Sequence, residues 1–231
     1  MLPGAPLLLL RSQTSGGIPV ITETARVEAF SDGVFAIAIT LLILDIKVPN
    51  ASGGPLAHQL LVQWPFYFSF VISFAFIGIM WINHHRLFTH IKRSDDLLLI
   101  LNLLLLLGVT SVPFPTAVLA ANLGQPGQRT ATVLFNATYL FIAVIFNLLW
   151  RYATSRNHHL LAANADFAAA DRITRQYLFG PLLYLICLGL AWISVTASLA
   201  LNATLACFFA FPPEFVSSSR GKRARASAFE K

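Results

Sequence analysis

The apolar positions of this sequence fall into long blocks separated by short polar, glycine- or proline-bearing segments. The blocks have the length of a bilayer crossing: a spanning helix needs ~20 mostly apolar residues, because the hydrocarbon core is ~30 Å thick and each helical residue rises ~1.5 Å. The first block runs from Arg26 to Val48 and stops at Pro49. The second runs from Pro65 to Phe88, with its proline in the first turn, where a missing N–H is tolerated. The third, Asp95 to Ala121, contains Pro113 and Pro115, which predict a kink or a broken end. The fourth covers Thr130 to Tyr152. The last stretch, Tyr177 to Phe211, is too long for one crossing, and dividing it near Ser198 to Asn202 gives two short helices joined by a tight turn. Open backbone does not survive in lipid, so every block is predicted helical. The expected fold is all-α: a polytopic membrane protein with six transmembrane helices in residues 25–215, an N-terminal segment 1–24 predicted to be disordered, and a basic tail 216–231. The short apolar run Leu7 to Leu10 is followed at once by Arg11 and has no positive segment before it, so no signal peptide is predicted.

Composition supports this class. Hydrophobic residues make up 56% of the chain and charged residues 11%, against about 25% charged in soluble domains. A soluble fold this apolar would expose large greasy patches. The net charge of +6 is spread between apolar blocks, with no aromatic-basic module, so nucleic acid is not an expected partner. Cys187 and Cys207 lie inside apolar runs without metal-type spacing and read as lipid-facing or packing residues.

Lysine and arginine set the orientation. With the N-terminus inside, fourteen of the sixteen basic residues fall on cytoplasmic segments, and only Lys47 and Arg129 fall outside. An odd number of crossings would export the tail cluster Arg220, Lys222, Arg223 and Arg225. That cluster reads as an inside-orienting patch in contact with membrane lipids.

No GxSxG, HExxH or glycine-rich phosphate loop is present, so nothing in the sequence asks for an enzyme or a cofactor. Polar residues within the apolar blocks are more informative, because they are costly there. In the first helix, at ~100° per residue, Phe30, Ile37, Leu41, Leu44 and Val48 share one narrow stripe, with Arg26 at its cytoplasmic end. Ser31 and Asp32 point elsewhere, so the helix has an aliphatic face and a separate polar face. The aliphatic face suits lipid or a pore, and Asp32 suits a buried structural acid or a functional one. Asp32, the Trp81-Ile-Asn-His-His85 end of the second helix, and Asn102 in the third form a plausible buried polar network near the cytoplasmic side. Adjacent histidines on a helix do not face one site, so hydrogen bonding is expected there in preference to a metal.

Arg26-Val-Glu-Ala-Phe30-Ser31-Asp32-Gly33 resembles the RxxxFSD signature that opens the first helix of the TMEM175 family of potassium channels. Val34 to Leu44 resembles that family's pore helix, and Trp81 to Phe88 and Asn102 to Thr116 also fit. The resemblance extends over about residues 25–215. It implies a bacterial-type homotetramer in the inner membrane, with one central pore lined by first helices and both termini cytoplasmic. It implies a constriction at Ile37, Leu41 and Leu44, the residues that also occupy the aliphatic stripe. It further implies that Arg26, Ser31 and Asp32 tie the first helix to Trp81, His85 and Asn102, with Phe30 part of the same signature. Potassium is the implied permeant ion, with no cofactor and no other metal. An aliphatic ring dewets and gates, and when it widens, partial dehydration favours potassium modestly over sodium. Thr40, about 60° from the stripe, places a hydroxyl beside the constriction. Two alternatives stand: a proton-coupled transporter or proton leak using Asp32 and His85, and a structural protein whose first-helix stripe faces lipid.

The charge split carries a direct test of topology. A reporter fused after Lys231 is expected to read cytoplasmic, and one inserted between residues 50 and 58 external; an external C-terminus rules out an even number of crossings.

Overall fold

The computed structural model describes residues 23–49, 54–155, 160–161 and 167–210, with side chains for all of these except 23, 167–178 and 207–210. The N-terminal segment up to residue 22 and the tail 216–231 lie outside the described residues. The described chain is helical throughout: α1 (Glu23–Leu41) continues into a 3-10 turn (Leu42–Asp45), followed by α2 (Leu56–Val62), α3 (Trp64–His90), α4 (Asp96–Ser111), α5 (Pro113–Asn122), α6 (Gln128–Thr154), α7 (Phe167–Ile193) and α8 (Val195–Ala210). Four stretches are long and apolar enough to cross a membrane: Thr24–Asp45, Trp64–His90, Asp96–Asn122 and Gln128–Thr154. Phe179–Ile193 and Val195–Ala206 are shorter apolar helices.

The hub is α6, which packs against α4, α5, α7 and α8. Ala131, Phe135, Tyr139, Ile142, Phe146, Leu149 and Ala153 recur at three- and four-residue spacing and are all buried, the stripe that one helix face presents to its neighbours. Gly108 of α4 meets this stripe closely, since a Cβ there would lie 2.7 Å from Ile142 Cγ1. Away from α6, α1 lies against α3 and α4. Thr24, Ser31, Phe35, Ala38 and Leu42 of the α1 segment are its buried positions.

The third block breaks where its prolines predict. Pro113 has no N–H, so the Val109 carbonyl loses its helical donor. The Val112 N–H takes that carbonyl instead, at 3.2 Å. This in turn frees the Gly108 carbonyl, which accepts from Ser111 Oγ at 2.7 Å. Thr116 Oγ1 donates to Val112 O at 2.8 Å and accepts from Ser73 of α3 at 2.7 Å. The Ser111 hydroxyl thus restores a backbone partner that the break removes, as lipid surroundings require, while Val112 O keeps the Thr116 N–H at 3.2 Å.

Two boundaries differ from the sequence reading. The first helix does not stay α-helical to Val48: it tightens to 3-10 winding after Leu41, and Ile46 is extended. Such i→i+3 winding satisfies terminal carbonyls, Lys47 Nζ donates to Leu44 O at 2.8 Å, and the Val48–Pro49 pair disfavours helix. The last apolar stretch divides at Ser194 and not at Ser198 to Asn202. Ser194 N–H closes α7 onto Leu190 O at 2.7 Å, and its Oγ accepts from Ala197 N–H at 3.2 Å, the N-cap bond that opens α8. Ser198 and Asn202 are fully buried inside α8. Asn136 of α6 donates to Ser198 Oγ at 2.8 Å, and Asn202 donates to Asn136 Oδ1 at 2.9 Å. The polar residues read as a turn are interhelical hydrogen-bonding groups.

The α4–α6 crossing generates a stability test. Gly108→Leu is expected to lower the thermal midpoint of the detergent-solubilised protein, overpacking of this kind costing about 1–3 kcal/mol. Gly78→Ala, where a Cβ meets nothing within 4 Å, is expected to leave it unchanged or raised; equal midpoints for the two variants would mean that the close crossing is unimportant.

Candidate functional site: an exposed aliphatic stripe and its polar anchors

The two faces of α1 have different fates. Phe30 is 58% exposed, Ile37 60%, Leu41 42%, Leu44 62% and Val48 90%, so the aliphatic stripe has no partner among the described residues. Arg26, Gly33 and Thr40 are exposed on the same side. Thr40 Oγ1 donates back to Ala36 O and Ile37 O, both at 2.9 Å, which leaves its lone pairs turned outward. Ile39, two residues from Ile37, is instead half-buried against the subunit core.

The opposite side of α1 is fastened by a directed chain of hydrogen bonds. Ser31 Oγ donates its single proton to Val27 O at 2.8 Å, so toward Asn102 it accepts, taking the Nδ2 proton at 3.0 Å. Asn102 therefore presents Oδ1 to His84 Nε2, 3.0 Å away. Two acceptors cannot bond each other, so His84 carries its proton on Nε2. Ser31, His84 and Asn102 are all at most 2% exposed. His84 is packed between Phe35 and Phe88, with ring centroids at 5.4 and 4.5 Å. One chain of bonds thus joins α1, α3 and α4.

A second set of contacts lies at the edge of the α1–α3 contact. Trp81 Nε1 donates to Asp32 Oδ1 at 2.8 Å, and His85 Nδ1 lies 2.7 Å from Glu28 Oε1. The two rungs are four residues apart on each antiparallel helix, so one helical turn separates them. Trp81 stacks toward His85 with centroids 6.5 Å apart.

The predicted network therefore divides. Ser31 is hydrogen-bonded to Asn102, and Asp32 to Trp81. His85 does not join them: the buried member is its neighbour His84, and His85 pairs with Glu28 at an exposed position. Asp32 is half-buried, and Arg26 and Phe30 are exposed outside the network. Asp32 and His85 have different hydrogen-bond partners, so no direct bond links them as a relay. Periodicity held the signal for His84, because Ser73, Phe76, Ile77, Met80, His84 and Leu87 form the buried stripe of α3 and His85 falls off it. Glu28 stands one turn before Asp32, in reach of the same helix. Among the described residues, no three His, Cys, Asp or Glu side chains gather as a metal site.

Removing the central link tests its importance. Asn102→Ala strands the His84 N–H and is expected to cost about 1–3 kcal/mol of stability, read as a lowered unfolding midpoint or lost assembly. His85→Ala, which removes an exposed and screened pair, is expected to do little; a larger loss for His85→Ala would shift the anchorage of α1 to the outer rungs.

Comparison with known proteins agrees with this geometry. A family profile described as endosomal/lysosomal potassium channel TMEM175 matches residues 26–113, which include the whole anchored region of α1, α3 and α4. A protein named as a potassium channel from Chamaesiphon minutus is 49% identical over 195 residues, covering 83% of this chain and 96% of its own length. The crystal structure of a lysosomal potassium-selective channel TMEM175 homolog from the same organism superposes with a TM-score of 0.74 at 47% identity, covering 81% of this chain and 96% of that one. A bovine protein named endosomal/lysosomal proton channel TMEM175 is 33% identical over 189 residues, covering 78% of this chain but only 39% of its own length.

Proposed function

This chain belongs to the TMEM175 family of ion channels, and on that premise we propose that four copies assemble around a central potassium-permeable pore lined by α1. The observation that carries the reading is the contrast between the faces of α1. One face is held by buried hydrogen bonds to α3 and α4, while the other presents Ile37, Leu41 and Leu44 with no partner among the described residues. Brought together around an axis, these side chains form the constriction that gates by dewetting. The Thr40 hydroxyls, with their protons used inside the helix, offer oxygen ligands beside it. Selectivity is modest, because aliphatic groups discriminate only through the cost of dehydration. The shorter apolar helices of α7 and α8 make the fifth and sixth crossings, both termini are cytoplasmic, and the protein resides in the bacterial inner membrane. A proton current is the second reading, favoured by the name of the bovine relative and by the half-buried Asp32 and its bond to Trp81.

The test is paired potassium and sodium flux from liposomes at equal reconstituted protein, with dissipation of a pH gradient measured alongside. In the wild type, potassium flux is expected to exceed sodium flux; a proton flux without either supports the second reading. Ile37→Asn places amides at the constriction, keeps it wet, and is expected to raise basal flux, with sodium gaining more than potassium. Ile39→Asn, directed toward the subunit core, is expected to impair folding or do little without creating a leak. If Ile37→Asn lowers flux, or only Ile39→Asn leaks, the stripe faces lipid and the pore axis lies elsewhere.

A further inference from the structure

The short helix α2 has its polarity inside out. At ~100° per residue, Leu56, Ala57, Leu60 and Leu61 fall within one arc of about 140°, and His58, Gln59, Val62 and Gln63 lie outside it. An amphipathic helix on a water-exposed surface turns its apolar arc inward and its polar side outward. Here no α2 residue is buried, and Leu61 is 74% exposed. From residue 55 to 64, only Gln59 and Gln63 are half-buried, and Gln59 Nε2 donates back to Gly54 O at 2.8 Å. The leucine arc therefore points outward, with no partner among the described residues.

The level of this arc in the membrane is set by α3. That helix has 27 residues and is about 40 Å long, against ~30 Å of hydrocarbon, so its ends reach the headgroup layers. Exposed Trp64 opens it and half-buried Tyr67 follows one turn on; such rings favour the boundary between headgroups and acyl chains. Between α2 and α3 the helical ladder is interrupted. Pro65 has no N–H for the Leu61 carbonyl four residues earlier, and the Gln63 N–H takes Leu60 O, three residues back, at 3.2 Å. Hydrated headgroups tolerate such a break and hydrocarbon does not. The arc is thus continuous with a membrane-crossing segment and stands where one side of a helix meets acyl chains and the other meets water. No Asp, Glu, Lys or Arg occurs from Pro55 to Trp64, so nothing in α2 selects a headgroup by charge.

We propose that α2 is an interfacial anchor whose leucine arc inserts among the acyl chains beneath the headgroups, in the leaflet at the Trp64 end of α3. The occupant of the arc is bilayer lipid of any headgroup charge, held by apolar contact at the ~5–10 Å depth of helices that lie in the interface. His58, on the other side of α2, stays in water. Anchored in this way, α2 holds the Trp64 end of α3 at a fixed depth, and α3 in turn carries α1 through Trp81 and His85. The anchor does not depend on the ion-conduction reading, because its test reads no flux.

The experiment attaches a nitroxide to Leu61→Cys or to His58→Cys in the full chain, with Cys187→Ala and Cys207→Ala, reconstituted in phosphatidylcholine vesicles. Gel filtration before reconstitution checks folding. Collisions are measured with oxygen, which concentrates among acyl chains, and with a water-soluble nickel chelate. The oxygen-to-nickel ratio is expected to be about threefold or more higher for Leu61→Cys than for His58→Cys, as insertion to interfacial depth requires. Adding phosphatidylglycerol is expected to leave the ratio unchanged. Leu56→Gln with Leu60→Gln, which alter only exposed positions, are expected to abolish the preference at Leu61→Cys by releasing the arc into water. Equal nickel access at the two labels places α2 in water and overturns the proposal. Exclusion of both oxygen and nickel at Leu61→Cys means that a second copy or another segment of the chain covers the arc, and overturns it equally. A preference that needs phosphatidylglycerol, or that survives the double substitution, overturns apolar insertion by the leucines.

Discussion

The hydrogen bond from Asn102 Nδ2 to Ser31 Oγ, 3.0 Å long, is the interaction on which the arrangement of α1 depends. Asn102 bridges in both directions. It gives a proton to α1 and receives one from His84 of α3, so the three helices have one mutual register that satisfies all of these groups. A slip by one residue along α1 would turn Ser31 away by about 100° and leave the asparagine facing hydrocarbon. Interhelical hydrogen bonds in membranes are individually modest, averaging ~0.6 kcal/mol in measured cases. Their effect here is to select one rotation of α1 over others. That rotation turns Phe35, Ala38 and Leu42 inward and Ile37, Leu41 and Leu44 outward.

The same constraint explains features far from α1. The proline break between α4 and α5 persists because the Ser111 hydroxyl supplies a donor to the Gly108 carbonyl that the break frees, while Thr116 joins it to Ser73 of α3. The Asn136, Ser198 and Asn202 cluster fixes α6 against α8 and also reaches the Cys187 carbonyl of α7, at 2.7 Å from Ser198. In each case a polar group in an apolar block is paired with a group on another helix or with a freed carbonyl. The buried face of α1 is thereby specified, while its aliphatic stripe stays exposed.

Much of the site was legible in the chain. The stripe followed from the 3.6-residue period, and the first-helix signature led to the family. Asp32, Trp81, Ser31 and Asn102 were legible as one network without assigned partners, because each is a costly polar residue in an apolar block; the structure bonds Asp32 to Trp81 and Ser31 to Asn102. The buried role of His84 was not legible for a definable reason: it and His85 are equally polar, and only the buried stripe of α3 separates them, while His85 bonds Glu28 of α1. Reading Ser198 to Asn202 as a turn failed because serine and asparagine serve turns and helix contacts alike, and their role depends on what faces them.

The sequence by itself determined that the chain is membrane-embedded and helical, where most crossings lie, and which face of α1 is aliphatic. These properties depend on apolar length measured against bilayer thickness and on helical period, both of which are local. Tertiary structure alone decided which histidine is buried, which carboxylate each rung uses, and where α7 gives way to α8. Those outcomes depend on the axial register and rotation of helices that are distant in sequence. A shift of one residue along a helix exchanges hydrogen-bond partners while leaving composition and periodicity unchanged.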